Sequence, residues 1–140
     1  MSRCEQLRPN FYGCELYYGK IDMNKTHGKA CFFLVNHKAD TEFIKKQALQ
    51  FIVAGCKRYD FFGKYSEEWH LAFDLADISV NPESNEESVA ITVSHQTIED
   101  FVDALNEWLS CRSIVPYDFY LIYDDVDLYN QVKTMLNLKH

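Results

Sequence analysis

The sequence predicts an α/β domain in which strands and helices alternate along the chain. Four segments have the length and apolar pattern of β-strands, at residues 30–36, 58–63, 88–94 and 119–123. Each is followed by a stretch whose apolar residues recur every three or four positions, which is typical of an amphipathic helix. Such alternation with short connections predicts parallel strands joined by right-handed crossovers, with helices on both faces of the sheet.

The first predicted strand is the most apolar segment of the chain. The run ACFFLVN at residues 30–36 lies between Gly28 and polar residues, and its lack of alternation is typical of a strand buried on both faces. A helix is expected to begin at Asp40 or Thr41, either of which can cap it, and Gly55 supplies its end.

The later elements continue the same pattern. RYDFFG at 58–63 alternates, which indicates a strand with one partly polar face near a sheet edge, and Ser66 is expected to cap the helix after it. SVAITVS at 88–94 predicts a third strand, and Thr97 opens a capping box at the start of the third helix. FYLIY at 119–123 predicts the fourth strand, before the last helix.

The strand order follows from which strands are most apolar. The first and third strands are the most uniformly apolar, so we expect them in the middle of the sheet and the fourth strand at an edge. This predicts a three-layer Rossmann-like or flavodoxin-like domain, with a four-stranded, mostly parallel sheet in the order 2-1-3-4. Residues 1–140 have the length of one domain. Residues 1–29 lack a clear period, and we expect an irregular, aromatic-rich N-terminal extension with at most one short strand or hairpin around FYGCELYYG at 11–19.

Charge and composition narrow the classes of partner. The formal net charge is −7, whereas binding to a nucleic-acid backbone needs clustered Lys and Arg, so no nucleic acid is expected as partner. An acidic surface favours a basic protein partner. No stretch approaches the roughly 18 uninterrupted apolar residues of a membrane span, and no signal peptide is visible, so no membrane association is expected.

The cysteines predict a reducing compartment. They are odd in number, lack C-x-x-C spacing, and are expected to be free thiols in the cytoplasm. Their positions are Cys4, Cys14, Cys31, Cys56 and Cys111.

One helix carries an acidic stripe at residues Glu67, His70, Asp74 and Asp77. Steps of three, four and three residues place these side chains within an arc of roughly 80°. A Glu-x-x-His pair is also an element of di-iron carboxylate proteins, but alternating strands and helices supply no facing helices for the other ligands. We therefore expect the solvent-facing side of an ordinary helix, open to a partner. Metal binding is the alternative, and no metal is predicted.

A second set of polar residues follows the predicted strands. In open α/β sheets ligands bind beyond the carboxyl ends of the strands, where the predicted order brings together His37, His95 and Asp124. Two imidazoles beside a carboxylate can act as general acid and base or hold a metal, although any such sheet places polar loop residues there. No glycine-rich phosphate loop and no G-x-S-x-G motif occur, so no cofactor is predicted. The acidic run at 124–127 is expected to cap the last helix rather than bind Mg²⁺.

Aromatic residues of the N-terminal extension form a third candidate set. Phe11, Tyr12, Tyr17 and Tyr18 are expected to cover a sheet edge or to anchor a partner. A homodimer through this segment, or through an uncovered edge strand, is a further expectation.

The leading hypothesis is a cytoplasmic, non-enzymatic protein-interaction module. Its partner surface is expected to include the acidic stripe, Tyr12, Tyr17, Tyr18 and the acidic loop at 83–87, facing a basic protein. In size, acidity and lack of a catalytic motif the chain resembles bacterial immunity and antitoxin proteins, which implies a neutralising or regulatory role. The alternative is a small enzyme or ligand-binding domain that uses His37, His95 and Asp124.

Overall fold

The computed structural model describes residues 4–16, 28–56, 58–82, 90–111 and 117–138. Within these ranges the strands are β1 (Cys4–Arg8), β2 (Phe11–Glu15), β3 (Gly28–Leu34), β4 (Arg58–Phe62), β5 (Ile91–Ser94) and β6 (Tyr117–Tyr123). The helices are α1 (Thr41–Val53), α2 (Ser66–Val80), α3 (Ile98–Cys111) and α4 (Val126–Leu138). In this part of the chain we find no helix with the length and apolar character needed to cross a membrane.

The described strands form one mostly parallel sheet of six strands in the order β1-β2-β6-β3-β4-β5. Only the pairing of β1 with β2 is antiparallel, and the other four pairings are parallel. The predicted α/β class is therefore confirmed, but the described sheet has six strands rather than four. The Rossmann-like assignment is supported only loosely, by the layers and by the reversal of strand order between β3 and β6.

The predicted strand order 2-1-3-4 is wrong. Numbered as in the prediction, the four helix-linked strands lie in the order 4-1-2-3. The third predicted strand is β5, which is only four residues long at the sheet edge and leaves Ile91 half exposed. The fourth is β6, which is interior because β2 pairs with its outer side. An apolar run alone does not distinguish an edge strand covered on one face from a central strand.

The N-terminal region is more regular than predicted. Residues Cys4–Glu15 form a β-hairpin whose second strand, β2, runs parallel to β6. The expectation of an irregular extension is therefore wrong for this segment, where Asn10 takes the positive φ of 62° at the turn. Tyr12 stacks on Tyr120 of β6 with ring centroids 5.6 Å apart, so this ring covers part of the sheet.

Two cysteines of the hairpin are joined. Cys4 and Cys14 are cross-strand partners and form a disulfide, so the expectation of free thiols is wrong for this pair. Cys31 and Cys56 are free and buried.

The sheet carries two helices on each face, as predicted. Central strand β3 directs Cys31 and Phe33 toward α1 and α2, and Phe32 and Leu34 toward α3 and α4, all fully buried. Phe33 is the centre of the first face, with four rings at centroid distances of 5.2–5.8 Å, namely Phe51, Phe61, Trp69 and Phe73. Aromatic contacts of this kind contribute beyond their buried area, so β3 organises both cores.

The hairpin is held to the sheet by α4. Tyr129 donates a hydrogen bond of 2.6 Å to Glu5 of β1, and Lys133 pairs with the same oxygen at 2.8 Å. These two donors hold the Glu5 pKa below its ordinary value, whereas burial and the Glu5 carboxylate raise the pKa of Tyr129. Gly13, the cross-strand partner of Glu5, lies beneath the Tyr129 ring, and a Cβ at this position would overlap the phenol.

We therefore expect Gly13→Ala to lower the free energy of unfolding by about 1–3 kcal/mol, because the added methyl group must displace the ring of Tyr129. Urea unfolding of the wild type and the variant measures this cost. In a Tyr129→Leu background the same substitution should cost clearly less, since the overlapping phenol is gone. Equal costs in both backgrounds would show that the ring does not impose the glycine.

Candidate functional site

The carboxyl ends of β3 and β6 meet where the strand order reverses, and a compact polar cluster fills this position. The Asp124 carboxylate accepts the backbone N–H of Asn36 at 2.8 Å and that of His37 at 3.0 Å. The Asn36 side chain donates to Asp125 at 3.2 Å and accepts the backbone N–H of Lys64 at 3.0 Å. The turns that follow β3, β4 and β6 are therefore tied together at this crevice.

Asp124 occupies the place where an anionic ligand would bind in such a sheet. Successive backbone N–H groups at the first strand–helix turn are the donors that hold phosphates in doubly wound folds. Here both N–H groups, from Asn36 and His37, already point to one carboxylate of the same chain. Burial raises the pKa of Asp124, and the two backbone donors oppose that rise. The Asp124 carboxylate thus occupies the position that a ligand would take. We refer to Asp124 with the backbone N–H groups of Asn36 and His37 as the latch.

Asp125 caps α4, as predicted for the acidic run. Its carboxylate accepts the backbone N–H of Leu128 at 3.1 Å, and this bond, with the Asn36 side chain, lowers the Asp125 pKa. His37 Nε2 lies 3.3 Å from Asp125, and the imidazole is 60% exposed. His37 and Asp124 therefore share the predicted crevice. The carboxylates of Asp124 and Asp125 both accept hydrogen bonds from neighbouring donors.

The structure does not bring His95 to the same place. Strand β4 lies between β3 and β5, and the His95 side chain turns toward α3, where its Nε2 lies 2.6 Å from Asp60. Asp60 is fully buried and also accepts two hydrogen bonds from Arg58, at 2.6 and 3.1 Å. The Arg58 guanidinium lies over the ring of Trp108. His95 belongs to this buried ion cluster, which sequence reasoning missed.

The alternating pattern of RYDFFG gave one usable signal for that cluster. It placed Arg58 and Asp60 on the same face of a strand, two residues apart. A buried carboxylate in the middle of an apolar strand needs hydrogen-bonding partners, and Arg58 is the nearest cation to Asp60 in the sequence.

The acidic stripe of α2 faces solvent only in part, because its middle packs against β5. His70 is only 24% exposed and packs against β5: its Nδ1 lies 2.7 Å from the hydroxyl of Ser94, and its Nε2 lies 2.9 Å from that of Thr92. Thr92 in turn donates to Asp74 at 2.5 Å. Because the single hydroxyl proton of Thr92 goes to Asp74, His70 Nε2 must donate to Thr92, and its Nδ1 can accept from Ser94.

The end of the stripe is also engaged. Asp77 accepts hydrogen bonds from the Asn81 side chain at 2.7 Å and from the backbone of Ala90 at 3.3 Å. Glu67, at the start of α2, is exposed. His70, Asp74 and Asp77 therefore join α2 to the edge strand, and of the four predicted residues Glu67 alone is fully on the surface. Across the described residues, no group of three or more His, Cys, Asp or Glu is placed to hold a metal ion.

The surface of α2 that does face outward is apolar. Leu71, Leu75 and Ile78 are 60%, 53% and 63% exposed, and Leu49 and Val53 of α1 are exposed beside them. Between the two helices runs an open groove of about 600 Å³, lined by Ile44, Leu49, Leu71, Ala72, Leu75 and Ala76 among others. Lys38 and Lys45 lie on the α1 side of this groove, and Glu68 on the α2 side. We refer to it as the α1–α2 groove.

Sequence reasoning missed this groove although α2 carried a signal for it. Trp69 and Phe73 already provide a buried face, and both are fully buried. Leu71 and Leu75 lie on a different side of the helix, so the apolar arc is wider than one packing surface requires. A helix that is apolar on two sides indicates a second contact.

The predicted partner-binding tyrosines are only partly placed. Tyr12 is half-buried against Tyr120, which is the covering role. Tyr17, Tyr18 and the acidic loop at 83–87 lie outside the described residues. The fourth predicted strand, β6, is flanked by β2 and β3, so it offers no free edge for a homodimer.

Comparisons with known proteins add no family to this picture. The chain matches no protein-family model, no curated protein and no solved structure.

We expect Asp124→Ala to lower the free energy of unfolding by about 1–3 kcal/mol, because the N–H groups of Asn36 and His37 lose their acceptor. Asp127→Ala, in the exposed first turn of α4, is the matched control and should cost a few tenths of a kcal/mol. Urea unfolding with and without inorganic phosphate tests the anion-like role. Phosphate should stabilise Asp124→Ala more than the wild type, and an equal effect on both proteins would argue against it.

Asp60→Asn should cost about 3–5 kcal/mol, because it removes the only charge that faces Arg58 and His95 in the described cluster while keeping the side-chain volume. The control is Asp74→Asn, whose carboxyl is 46% exposed and should cost about 1 kcal/mol or less. Chemical denaturation of both variants gives the comparison. Similar costs would mean that the buried pairs contribute no more than the exposed one.

Proposed function

We propose that the protein is a non-enzymatic protein-interaction module whose α1–α2 groove binds an amphipathic helix of a basic partner protein. One observation carries the proposal: Leu49 of α1 and Leu71 and Leu75 of α2 line a single groove and are 46%, 60% and 53% exposed. Apolar groups concentrated in this way are typical of interaction surfaces, whereas isolated exposed leucines are common on any protein.

The spacing of these side chains supports a helix as the occupant. Leu71, Leu75 and Ile78 of α2 follow the i, i+4, i+7 pattern, and Leu49 and Val53 of α1 are four residues apart. Leu49, Leu71 and Leu75 of these rows line the groove, where they can receive the apolar stripe of a third helix. The lining residues run from Thr41 to Leu49 on α1 and from Glu68 to Ser79 on α2, which gives a groove of about three helical turns.

The net charge favours a basic partner over a second copy, and the carboxylates that would meet this partner lie on the α2 side, away from Lys38 and Lys45 on the α1 side of the groove. The chain carries a net charge of −7, so two copies repel each other, while a basic protein is attracted. Glu67 and Glu68 are exposed at the start of α2, and Asp74 is 46% exposed further along the helix. We place the basic flank of the partner helix along this side of α2, which retains the predicted roles of Glu67 and Asp74.

The enzyme alternative has less support. It required His37, His95 and Asp124 at one crevice, whereas His95 is paired with Asp60 beneath α3 and Asp124 is saturated by backbone donors. A role as general acid or base also needs access to a substrate. The α1–α2 groove lies on the opposite face of the sheet from the His95 cluster.

The compartment belongs to the same proposal. Two buried free thiols, Cys31 and Cys56, favour a reducing cytoplasm, and the Cys4–Cys14 disulfide is the observation against it. We retain the cytoplasm as the proposed location. The Rossmann-like character of the four helix-linked strands is likewise a proposal, supported by their reversal of order at the β3–β6 boundary.

The proposal is tested with a synthetic helical peptide that carries leucines at i, i+4 and i+7 and lysines along one flank. We expect Leu71→Ser/Leu75→Ser to weaken its binding by about tenfold or more, because each leucine buried at the interface contributes on the order of 1 kcal/mol. Fluorescence anisotropy measures the affinity. Since both side chains are exposed in the free protein, the thermal unfolding of the variant should be nearly unchanged.

Three controls separate the possible causes. Val126→Ser changes an equally exposed aliphatic residue outside the groove and should leave binding intact. An acidic analogue of the peptide, with glutamates in place of lysines, should bind more weakly, and sedimentation should give a monomer. Equal binding of both peptides, no effect of the double variant, or a stable dimer through this face would each contradict the proposal.

A further inference from the structure

Two cysteine thiols face each other inside the core beneath α1. Cys31 lies in the central strand β3, and Cys56 follows the turn at the end of α1. Their sulfur atoms are 3.8 Å apart, and the two residues are 0% and 2% exposed. The phenol of Tyr59 donates a hydrogen bond of 2.9 Å to the carbonyl oxygen of Cys56, which holds this turn against the sheet.

The distance between the sulfurs is short enough to be closed by the side chains. A disulfide needs about 2.05 Å between its sulfur atoms, so the two thiols must approach each other by somewhat less than 2 Å. Rotation about the two Cα–Cβ bonds, together with movement of the turn that carries Cys56, can supply this displacement. The pair is therefore prepared for a bond that a single buried cysteine cannot form.

Access to the pair runs through the turn that carries Cys56. Gly55 precedes it with a φ of 92°, is exposed, and has no heavy atom within 4 Å of the position of a Cβ. Opening of this turn exposes Cys56 while Cys31 remains in the sheet, because chain turns open at lower free energy than central strands. Cys56 is thus the first thiol to meet a reagent, and Cys31 is the second.

We propose that Cys31 and Cys56 form a redox-modification site that a hydroperoxide converts reversibly from dithiol to disulfide. The Cys56 thiolate attacks one oxygen of hydrogen peroxide, the O–O bond breaks, and the products are the sulfenic acid of Cys56 and water. The Cys31 thiolate then attacks this sulfur, the S–O bond breaks, and a second water leaves as the S–S bond forms. Two thiols are oxidised and one peroxide is reduced, with both thiol protons ending in water.

The bond has a structural consequence for the turn at the end of α1. It joins residues that are 25 positions apart and fixes the end of α1 to β3, so the urea midpoint of the oxidised protein should rise. The inference does not depend on the proposed helix-binding function. A failure of the peptide to bind in the groove would leave it unaffected.

The test treats the full-length protein with hydrogen peroxide, blocks the remaining thiols after denaturation, and maps tryptic peptides without reduction. Cleavage after Lys38 and Lys46 places Cys31 and Cys56 on separate peptides. We expect most of the Cys56 peptide to appear crosslinked to the Cys31 peptide, with the loss of two hydrogen atoms, and dithiothreitol to restore both. In Cys31→Ala the crosslink should disappear and Cys56 should proceed to sulfinic acid, whereas Cys111→Ala should retain the crosslink.

Several results would overturn the proposal. In the wild type these are two unmodified thiols, sulfinic acid at Cys56 without a crosslink, or a crosslink of Cys56 to Cys4, Cys14 or Cys111. The mapping of the wild type decides the matter even if Cys31→Ala does not fold.

Discussion

Every layer of this protein is built against β3, whose side chains are buried on both faces. Phe33 holds the four-ring cluster under α1 and α2, while Phe32 and Leu34 form the floor under α3 and α4. A strand in this position has no solvent side, and each residue must fit two packed layers. The polar devices of the molecule consequently lie at the ends and edges of the sheet, where β3 and β6 finish or where β5 lacks a described outer neighbour.

At those boundaries, charged groups serve mainly to join elements. Asp124 closes the crevice where a ligand binds in related architectures, Asp60 joins β4 to the loop after β5, and His70 joins α2 to β5. Each has its hydrogen-bonding capacity largely filled by residues of the same chain, which is how buried polar groups are tolerated. The exposed surface described above is instead apolar and lies between α1 and α2. Among the described residues, the polar clusters are thus largely closed within the chain, whereas the α1–α2 groove leaves aliphatic side chains exposed.

The fold class was predictable because local periodicity and tertiary burial agree. The run at β3 and the helical spacing after it survive intact in the structure, and Thr97 caps α3 through the backbone N–H of Asp100 at 3.1 Å. Strand order was not predictable, because β5 and a central strand share the same apolar signature when helices cover them. The extent of the N-terminal hairpin and its pairing with β6 were missed for a related reason: Gly13 suggests a loop in isolation, and only the ring of Tyr129 explains it.

The candidate site divides along the same line. His37 and Asp124 were placed at one crevice because strand ends that meet in a sheet follow from topology alone. The prediction for His95 was wrong because its side chain pairs with the buried carboxylate of Asp60 on the neighbouring strand β4. The outward face of α2 was assigned to the wrong residues, since helical spacing defines arcs but does not say which arc an edge strand will contact.

The stapled hairpin gives the sheet two very different borders. On one side lies the hairpin, which is closed by the Cys4–Cys14 disulfide and held by Tyr129 and Lys133. It makes β6 an interior strand where β6 would otherwise be an edge strand. An exposed edge strand can pair with a strand of another molecule. A chain without this hairpin would therefore present β6, with its aromatic and aliphatic residues, as an edge that is prone to aggregation. Twelve residues far from the groove thereby close one side of the sheet.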